Sequence, residues 1–226
     1  MVPSYPSTYH WPASLTVHRD DHYISDPTVF LDCDVVITEK LDGGVATICE
    51  GKAYARSSFA PTSLPWFDYM KAKTVPKLYG TSPVICAIGE DLYGVHSIEY
   101  DPLPDTFFLF HVLERRQENV GTEHTEGDLF WDWPAVVAFA KNNDLRHVPV
   151  LFEGSFTKVE QITEWFHDNI GLPSLLGPVR EGFVLRVRHE FWFDDFALNT
   201  TKFVRKNHVQ TDEHWTKHWK PARLIK

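Results

Sequence analysis

The chain has 226 residues, of which 43% are hydrophobic, 23% charged and 14% aromatic, including 8 Trp and 16 Phe; this is globular composition with a substantial core. It contains no run of about 18 apolar residues, which excludes a membrane span, and its opening MVPSYPSTYHWP lacks the basic flank and apolar stretch of a secretory signal. The formal net charge of -9 counts against simple nucleic-acid binding.

That charge is uneven. From Arg180 onward there are 10 Lys+Arg and 6 Asp+Glu, a balance of +4, and the preceding part holds 12 basic and 25 acidic residues, a balance of -13. A basic C-terminal face on an acidic body can contact phosphate locally; an ordinary solvated surface is the plain alternative. The cysteines are Cys33, Cys49 and Cys86. An odd number without CxxC spacing argues against a disulfide framework and against a zinc site, and a cytoplasmic location follows by default. Asn199-Thr200-Thr201 matches the glycosylation pattern, which without a signal peptide is read as chance.

In chain order, residues 34–39 (DVVITE) read as a β-branched strand ending at Lys40. Gly43-Gly44 is a turn signal, and residues 45–50 and 53–57 read as strands of a hairpin closed at Glu50-Gly51. Residues 84–88 and 107–113 are apolar enough for buried strands. A helix is expected over 133–141, with Pro134 at its first position. A second is expected over 157–167, where Thr157 and Glu160 form a capping-box pattern and Val159, Ile162 and Phe166 recur at helical spacing. Residues 182–187 and 197–204 read as strands, and a short tail helix from Asp212 stops at Pro221. Strands dominate without a βαβ rhythm, so the fold class is α+β with antiparallel sheets flanked by helices. One domain over 1–226 is expected, with 207–226 as a short tail.

Chemistry concentrates in Glu39-Lys40-Leu41-Asp42-Gly43-Gly44. A lysine at the end of an apolar strand, against an apolar wall and other cations, has a lowered pKa and becomes a usable nucleophile. Gly43 lets a bound phosphate approach the backbone, and Asp42 can hold a ribose hydroxyl or orient a metal. By itself the pattern is weak, and a surface hairpin lysine is the better reading of it.

Glu39-Lys40-Leu41-Asp42-Gly43 resembles motif I of the covalent nucleotidyltransferases: ATP-dependent DNA ligases, RNA ligases and mRNA capping enzymes. Further resemblances follow in the family's order. Tyr54-Ala55-Arg56-Ser57-Ser58 is similar to the element placing an arginine and a serine near the nucleotide. Gly89-Glu90-Asp91 is similar to the segment whose carboxylate contacts ribose. The run from Phe107 to Leu113, with Phe110 as the ring that stacks on the purine, resembles motif III. Glu181-Gly182-Phe183-Val184-Leu185-Arg186 resembles motif IV, whose Glu helps hold the metal. Thr201-Lys202-Phe203-Val204-Arg205-Lys206 resembles motif V, with Lys202 on the α-phosphate. Two positions depart from the family pattern. Motif III has Phe110-His111 where many members have Phe-Asp, with Glu114 nearby. Motif V lacks Lys-x-Lys, so the second phosphate-binding cation is Arg205 or Lys206.

The resemblance implies a ligase-type adenylation domain that joins RNA 5′-phosphate and 3′-hydroxyl ends through lysyl-AMP on Lys40. ATP and Mg²⁺ or Mn²⁺ are the implied cofactors, with Glu181 at the metal. Glu39, Asp42, Gly43, Arg56, Glu90, Phe110, Glu181, Lys202, Arg205 and Lys206 are the implied nucleotide-binding residues. RNA ends and ATP are the implied partners, with no membrane; a protein partner is not indicated. Only about 20 residues follow Lys206, too few for an OB domain, which favours an RNA ligase over a DNA ligase or capping core that needs a separate OB partner. A non-catalytic nucleic-acid-binding relative is the alternative from another class. Taken singly, Arg56 reads as a surface ion-pair residue, Glu90 as a cap, Phe108 and Phe110 as core, Glu181 as structural, and Lys202 and Arg205 as edge residues. His214 and His218 have zinc-like spacing without a third ligand, and a solvated tail helix explains them better.

Overall fold

The computed structural model describes residues 2, 4–15, 22–56, 59–116, 127–206, 215–217 and 219–225. Its strands in chain order are β1 (Tyr9–His10), β2 (Val35–Lys40), β3 (Gly44–Cys49), β4 (Lys52–Ala55), β5 (Ile85–Asp91), β6 (Phe107–Glu114), β7 (Leu129–Phe130), β8 (Arg146–His147), β9 (Val150–Gly154), β10 (Gly182–Val187), β11 (Phe191–Trp192) and β12 (Thr200–Val204). Its helices are α1 (Asp68–Lys73), α2 (Trp133–Asn142), α3 (Val159–Asn169) and α4 (Phe196–Asn199).

The strands form two sheets. The first has the order β1-β12-β10-β2-β9, and the second runs β11-β7-β6-β5-β3-β4 with β8 beside β6. All pairs among these strands are antiparallel except β1 with β12 and β6 with β8. The fold is therefore α+β with antiparallel sheets.

The β-branched run of β2 suits a central strand, because both of its faces are covered. Val36 joins a core cluster that includes Ala46, Ile48, Leu109, Val112 and Trp133. Val35 and Ile37 join another that includes Ile162, Phe166, Phe183, Leu185 and Phe203. The amphipathic stripe of α3 supplies this second cluster. Phe166 stacks on Phe183 at 5.4 Å and on Phe203 at 4.9 Å. Trp11, 1% exposed, donates its indole N–H to Thr163 Oγ1 at 2.9 Å and so ties the N-terminal segment to the same helix. The β3–β4 hairpin closes at Glu50 and Gly51, with φ of 52° and 67°, the conformation a two-residue hairpin turn requires.

Three local expectations are corrected. The cap of α3 moves one residue, because the Gln161 side-chain oxygen accepts the amides of both Thr157 (3.0 Å) and Lys158 (3.2 Å), so Glu160 is not the capping partner. Residues 196–199 are helical rather than extended. Buried Phe196 packs at 5.5 Å from Phe130, and Asn199 Nδ2 donates to Asp195 O, which closes a turn before β12 begins at Thr200. Cys49 and Cys86 face each other in the β3–β5 register, 4.4 Å apart at Cα, and form a disulfide; Cys33 is the unpaired residue behind the odd count. Of the tail helix expected from Asp212 to Pro221, residues 212–214 and 218, and with them the His214/His218 pair, lie outside the described residues; a single 3-10 turn covers Trp215–Lys217.

Among the described residues, no helix is long and apolar enough to cross a membrane.

Gly182 marks where the first sheet is tightest. A Cβ there would lie 2.1 Å from Phe203 O. Gly182→Ala should destabilise the fold by about 1–3 kcal/mol or more in urea denaturation. Wild-type stability would contradict this close approach.

Candidate active site

Antiparallel register brings the charged residues together. Lys40, the last residue of β2, lies opposite Gly182 of β10, so Glu181 meets it side by side. Lys40 Nζ is 2.6 Å from Glu181 Oε1, with the lysine side chain 27% exposed and the glutamate 5%. One strand further, Lys202 of β12 pairs with Val184, which pairs with Thr38 two residues before Lys40. From the second sheet come Glu90 on β5, opposite Val45 and Phe108, and Phe110 on β6.

Lys40, Glu90, Phe110 and Lys202 line a cavity of about 220 Å³. Of the residues singled out in the sequence, Lys40, Glu39, Gly43, Arg56, Glu90, Phe110 and Lys202 border it. Asp42, Glu181, Arg205 and Lys206 do not line it directly. Glu181 still reaches Lys40 through the ion pair. Asp42 Oδ2 accepts the amides of Ser97 (2.8 Å) and Ile98 (2.6 Å) and so anchors the turn. The amide of Arg205 donates to Glu181 O at 3.0 Å, and Lys206 is exposed. Glu39 borders the cavity, but its carboxylate accepts the Leu175 amide at 3.0 Å and lies 3.7 Å from Arg180 Nε. Gly43 is required sterically, since a Cβ there would meet Asp91 O at 2.6 Å. Ser57 and Ser58 lie outside the described residues.

The electrostatics reverse one expectation. Burial pushes the Lys40 ammonium toward deprotonation, but the carboxylates of Glu181, Glu90 and Asp42 outweigh it and hold its pKa above the ordinary lysine value. Lys40 is an ion-paired cation here, not an amine kept neutral by other cations. Burial lifts the Glu90 carboxyl from 4.5 to about 8, against the pull of Lys40 and with help from Glu181 and Asp42.

Four lining residues escaped the sequence reading as functional. His111 is buried and accepts from the Arg186 guanidinium, with 2.8 Å between NH1 and Nδ1. Burial, then Arg186, holds its pKa well below the usual histidine value, so it is a neutral acceptor. Arg186 also donates to Val187 O and Trp131 O. Glu114 accepts from the Trp131 indole, at the other end of β6. Tyr5 and Thr8 reach the cavity because β1 pairs with β12; no motif marks them.

The donor set suits a hard divalent cation. Glu181 Oε2 is buried without a hydrogen-bond partner, and the acidic groups near Lys40 outnumber it. Among the described residues no three His, Cys, Asp or Glu side chains form a ready-made metal cage. A cation held by one or two carboxylates, with water and phosphate oxygens completing its shell, fits this arrangement.

Because the folded protein binds a proton on Glu90 up to about pH 8, and the unfolded chain releases it near 4.5, this group makes stability fall as pH rises across that window. Glu90→Gln should therefore raise Tm relative to wild type more at about pH 8 than at about pH 5. An equal change at both would remove Glu90 as the source.

Residues 34–204 match the RNA ligase family model. Among solved structures, the fold is similar to an apo variant of a Naegleria gruberi RNA ligase, with 16% identity, a TM-score of 0.56, and 86% of this chain and 54% of that chain covered. It is similar to another variant of that ligase with ATP and Mn, with 15% identity, a TM-score of 0.56, and 89% and 56% covered. It is also similar to a candidate ATP-dependent DNA ligase from Aquifex aeolicus, with 15% identity, a TM-score of 0.56, and 90% and 50% covered. The chain spans about half the length of these solved ligases. No curated protein matches the sequence. The matched stretch carries Lys40, Arg56, Glu90, Phe110, Glu181 and Lys202 alike, and the chain belongs to the RNA ligase family.

Proposed function

We propose that this chain is the nucleotidyltransferase part of an ATP-dependent RNA ligase that joins 5′-phosphate and 3′-hydroxyl ends. The observation that carries the reading is the amine of Lys40, 2.6 Å from the buried Glu181 carboxylate in a cavity it shares with Glu90, Phe110 and Lys202.

Three phosphoryl transfers follow. Lys40 Nζ, once deprotonated, attacks the ATP α-phosphorus; an N–P bond forms and pyrophosphate leaves. An oxygen of the RNA 5′-phosphate then attacks that phosphorus, the N–P bond breaks, and the proton returns to Lys40. Finally the 3′-hydroxyl attacks the activated 5′-phosphorus, loses its proton, and AMP leaves. Each transfer needs in-line geometry and positive charge beside the phosphoryl oxygens. Lys202 supplies part of that charge. A divalent cation, Mg²⁺ or Mn²⁺, held by Glu181 with water and phosphate oxygens would supply more. Phe110 offers a ring face for adenine, Glu90 and Arg56 take the ribose and phosphate side, and Gly43 leaves room for phosphate at the turn. Glu39 acts through Arg180, and Asp42 through its two backbone amides.

Incubation with ATP and Mg²⁺ or Mn²⁺ should add the mass of one AMP, and Lys40→Ala should abolish that gain. A persistent gain in the variant, or none in wild type, overturns the reading. Lys202→Ala should slow lysyl-AMP formation by about 10²-fold or more in single-turnover assays. Sealing of nicked RNA against nicked DNA reads out strand preference.

Because carboxylates hold Lys40 protonated, the adenylylation rate should climb with pH from about 6 to about 9. Glu181→Gln should move that rising limb to lower pH; an unshifted limb would show that Glu181 does not control the Lys40 proton.

A further inference from the structure

The Lys40 turn is gripped by a segment distant in sequence. Three hydrogen bonds join Asp42 to residues 97–100. Its Oδ2 accepts from Ser97 and Ile98, and its own amide donates to the Tyr100 hydroxyl at 2.8 Å. Amide–carboxylate bonds are charge-assisted and short, so where residues 97–98 go, Asp42 follows.

The loop carrying Ser97 and Ile98 connects β5 to β6 and belongs to neither sheet. Residues 219–225 supply a partner that holds it. Four backbone bonds link the two stretches: Val95 N to Lys220 O (3.0 Å), Ala222 N to Tyr93 O (2.7 Å), Leu103 N to Arg223 O (2.8 Å) and Ile225 N to Leu103 O (2.9 Å). Gly94 bridges Pro221 and Leu103 bridges Leu224. Trp219 packs against Tyr93 and Trp66, each at 6.2 Å between ring centroids, and Leu224 and Ala222 pack on the core. The Lys220–Glu99 ion pair, about half exposed on both sides, adds little beside this backbone pairing.

We propose that residues 219–225 are a brace for the nucleophile. They pin the 93–103 loop, the loop pins Asp42, and Asp42 sets where Lys40, two residues earlier, presents its amine. The role of Lys40 in this inference rests on the ligase reading above. Trp219, Ala222 and Leu224 are positioning residues; they act through the loop and touch nothing that reacts.

Four proteins would be compared: wild type, a chain stopped after Lys217, Ala222→Pro (which removes the donor to Tyr93 O), and Glu99→Gln. The readouts are the single-turnover rate of lysyl-AMP formation at saturating ATP, the KM for ATP, Tm, and amide exchange at Ser97 and Ile98. The shortened chain should lose rate by about tenfold or more, as misplaced nucleophiles do, with KM changed less than about threefold, and Ser97 and Ile98 should exchange faster. Ala222→Pro should follow in the same direction with smaller amplitude, and it carries the test if the shortened chain does not fold. Glu99→Gln should match wild type. Unchanged rates with unchanged exchange would overturn the brace, as would a rate loss explained wholly by the unfolded fraction. Absence of lysyl-AMP in wild type would instead sink the ligase reading, and the exchange measurement would still decide whether the brace exists.

Discussion

Lys40 and Glu181 meet because two strands, far apart in sequence, lie antiparallel in one register. Side chains alternate along a strand, so a slip of one residue between β2 and β10 would turn Lys40 to the other face. That register is held from both sides. Val35 and Ile37 bury against the aromatic stack of Phe166, Phe183 and Phe203, while Val36 enters the opposite cluster. Gly182 lets β12 come close enough for Lys202 to share the cavity. Breaking such a pair leaves a buried charge without compensation, which is far costlier than losing a surface bridge. Core packing and site geometry are here one constraint.

The pair also sits in a mixed charge environment. Around Lys40 the carboxyl groups of Glu181, Glu90 and Asp42 stand beside the cations Arg56, Arg186 and Lys202, with Glu90 protonated up to about pH 8. In the proposed reading, phosphate charge is met locally by Lys202, Arg56 and a divalent cation rather than by a broad basic surface.

Much of this was legible in the sequence. The β-branched run before Lys40, the glycines after it, and the ordered motifs point to antiparallel sheets and to seven of the residues that border the cavity. What escaped has identifiable physical causes. The 197–204 run is apolar enough for a strand, but Phe196 is captured by an aromatic cluster and bends its first part into a helical turn. Counting three cysteines concealed a pair that only strand register brings face to face. His111 was weighed as a missing acid, whereas its partner is Arg186, and that pairing crosses from one sheet to the other. The lysine environment was read with the wrong sign, because carboxylates contributed by remote strands carry no local signature. Tyr5 and Thr8 arrive by a parallel pairing that no motif announces.

The strand order of the first sheet has a consequence for how the molecule is made. β2 is synthesised early, yet its neighbours β9 and β10 begin at Val150 and Gly182, and β12 ends at Val204. Until these emerge, a continuous apolar strand has no edges to pair with, a situation typical of slow, nonlocal β folding and open to aggregation. On the ribosome, therefore, the amine of Lys40 emerges well before the strands that border its cavity. The cavity is bordered by β12, so a chain cut before residue 204 would leave the apolar faces of β2 and β10 without that neighbour.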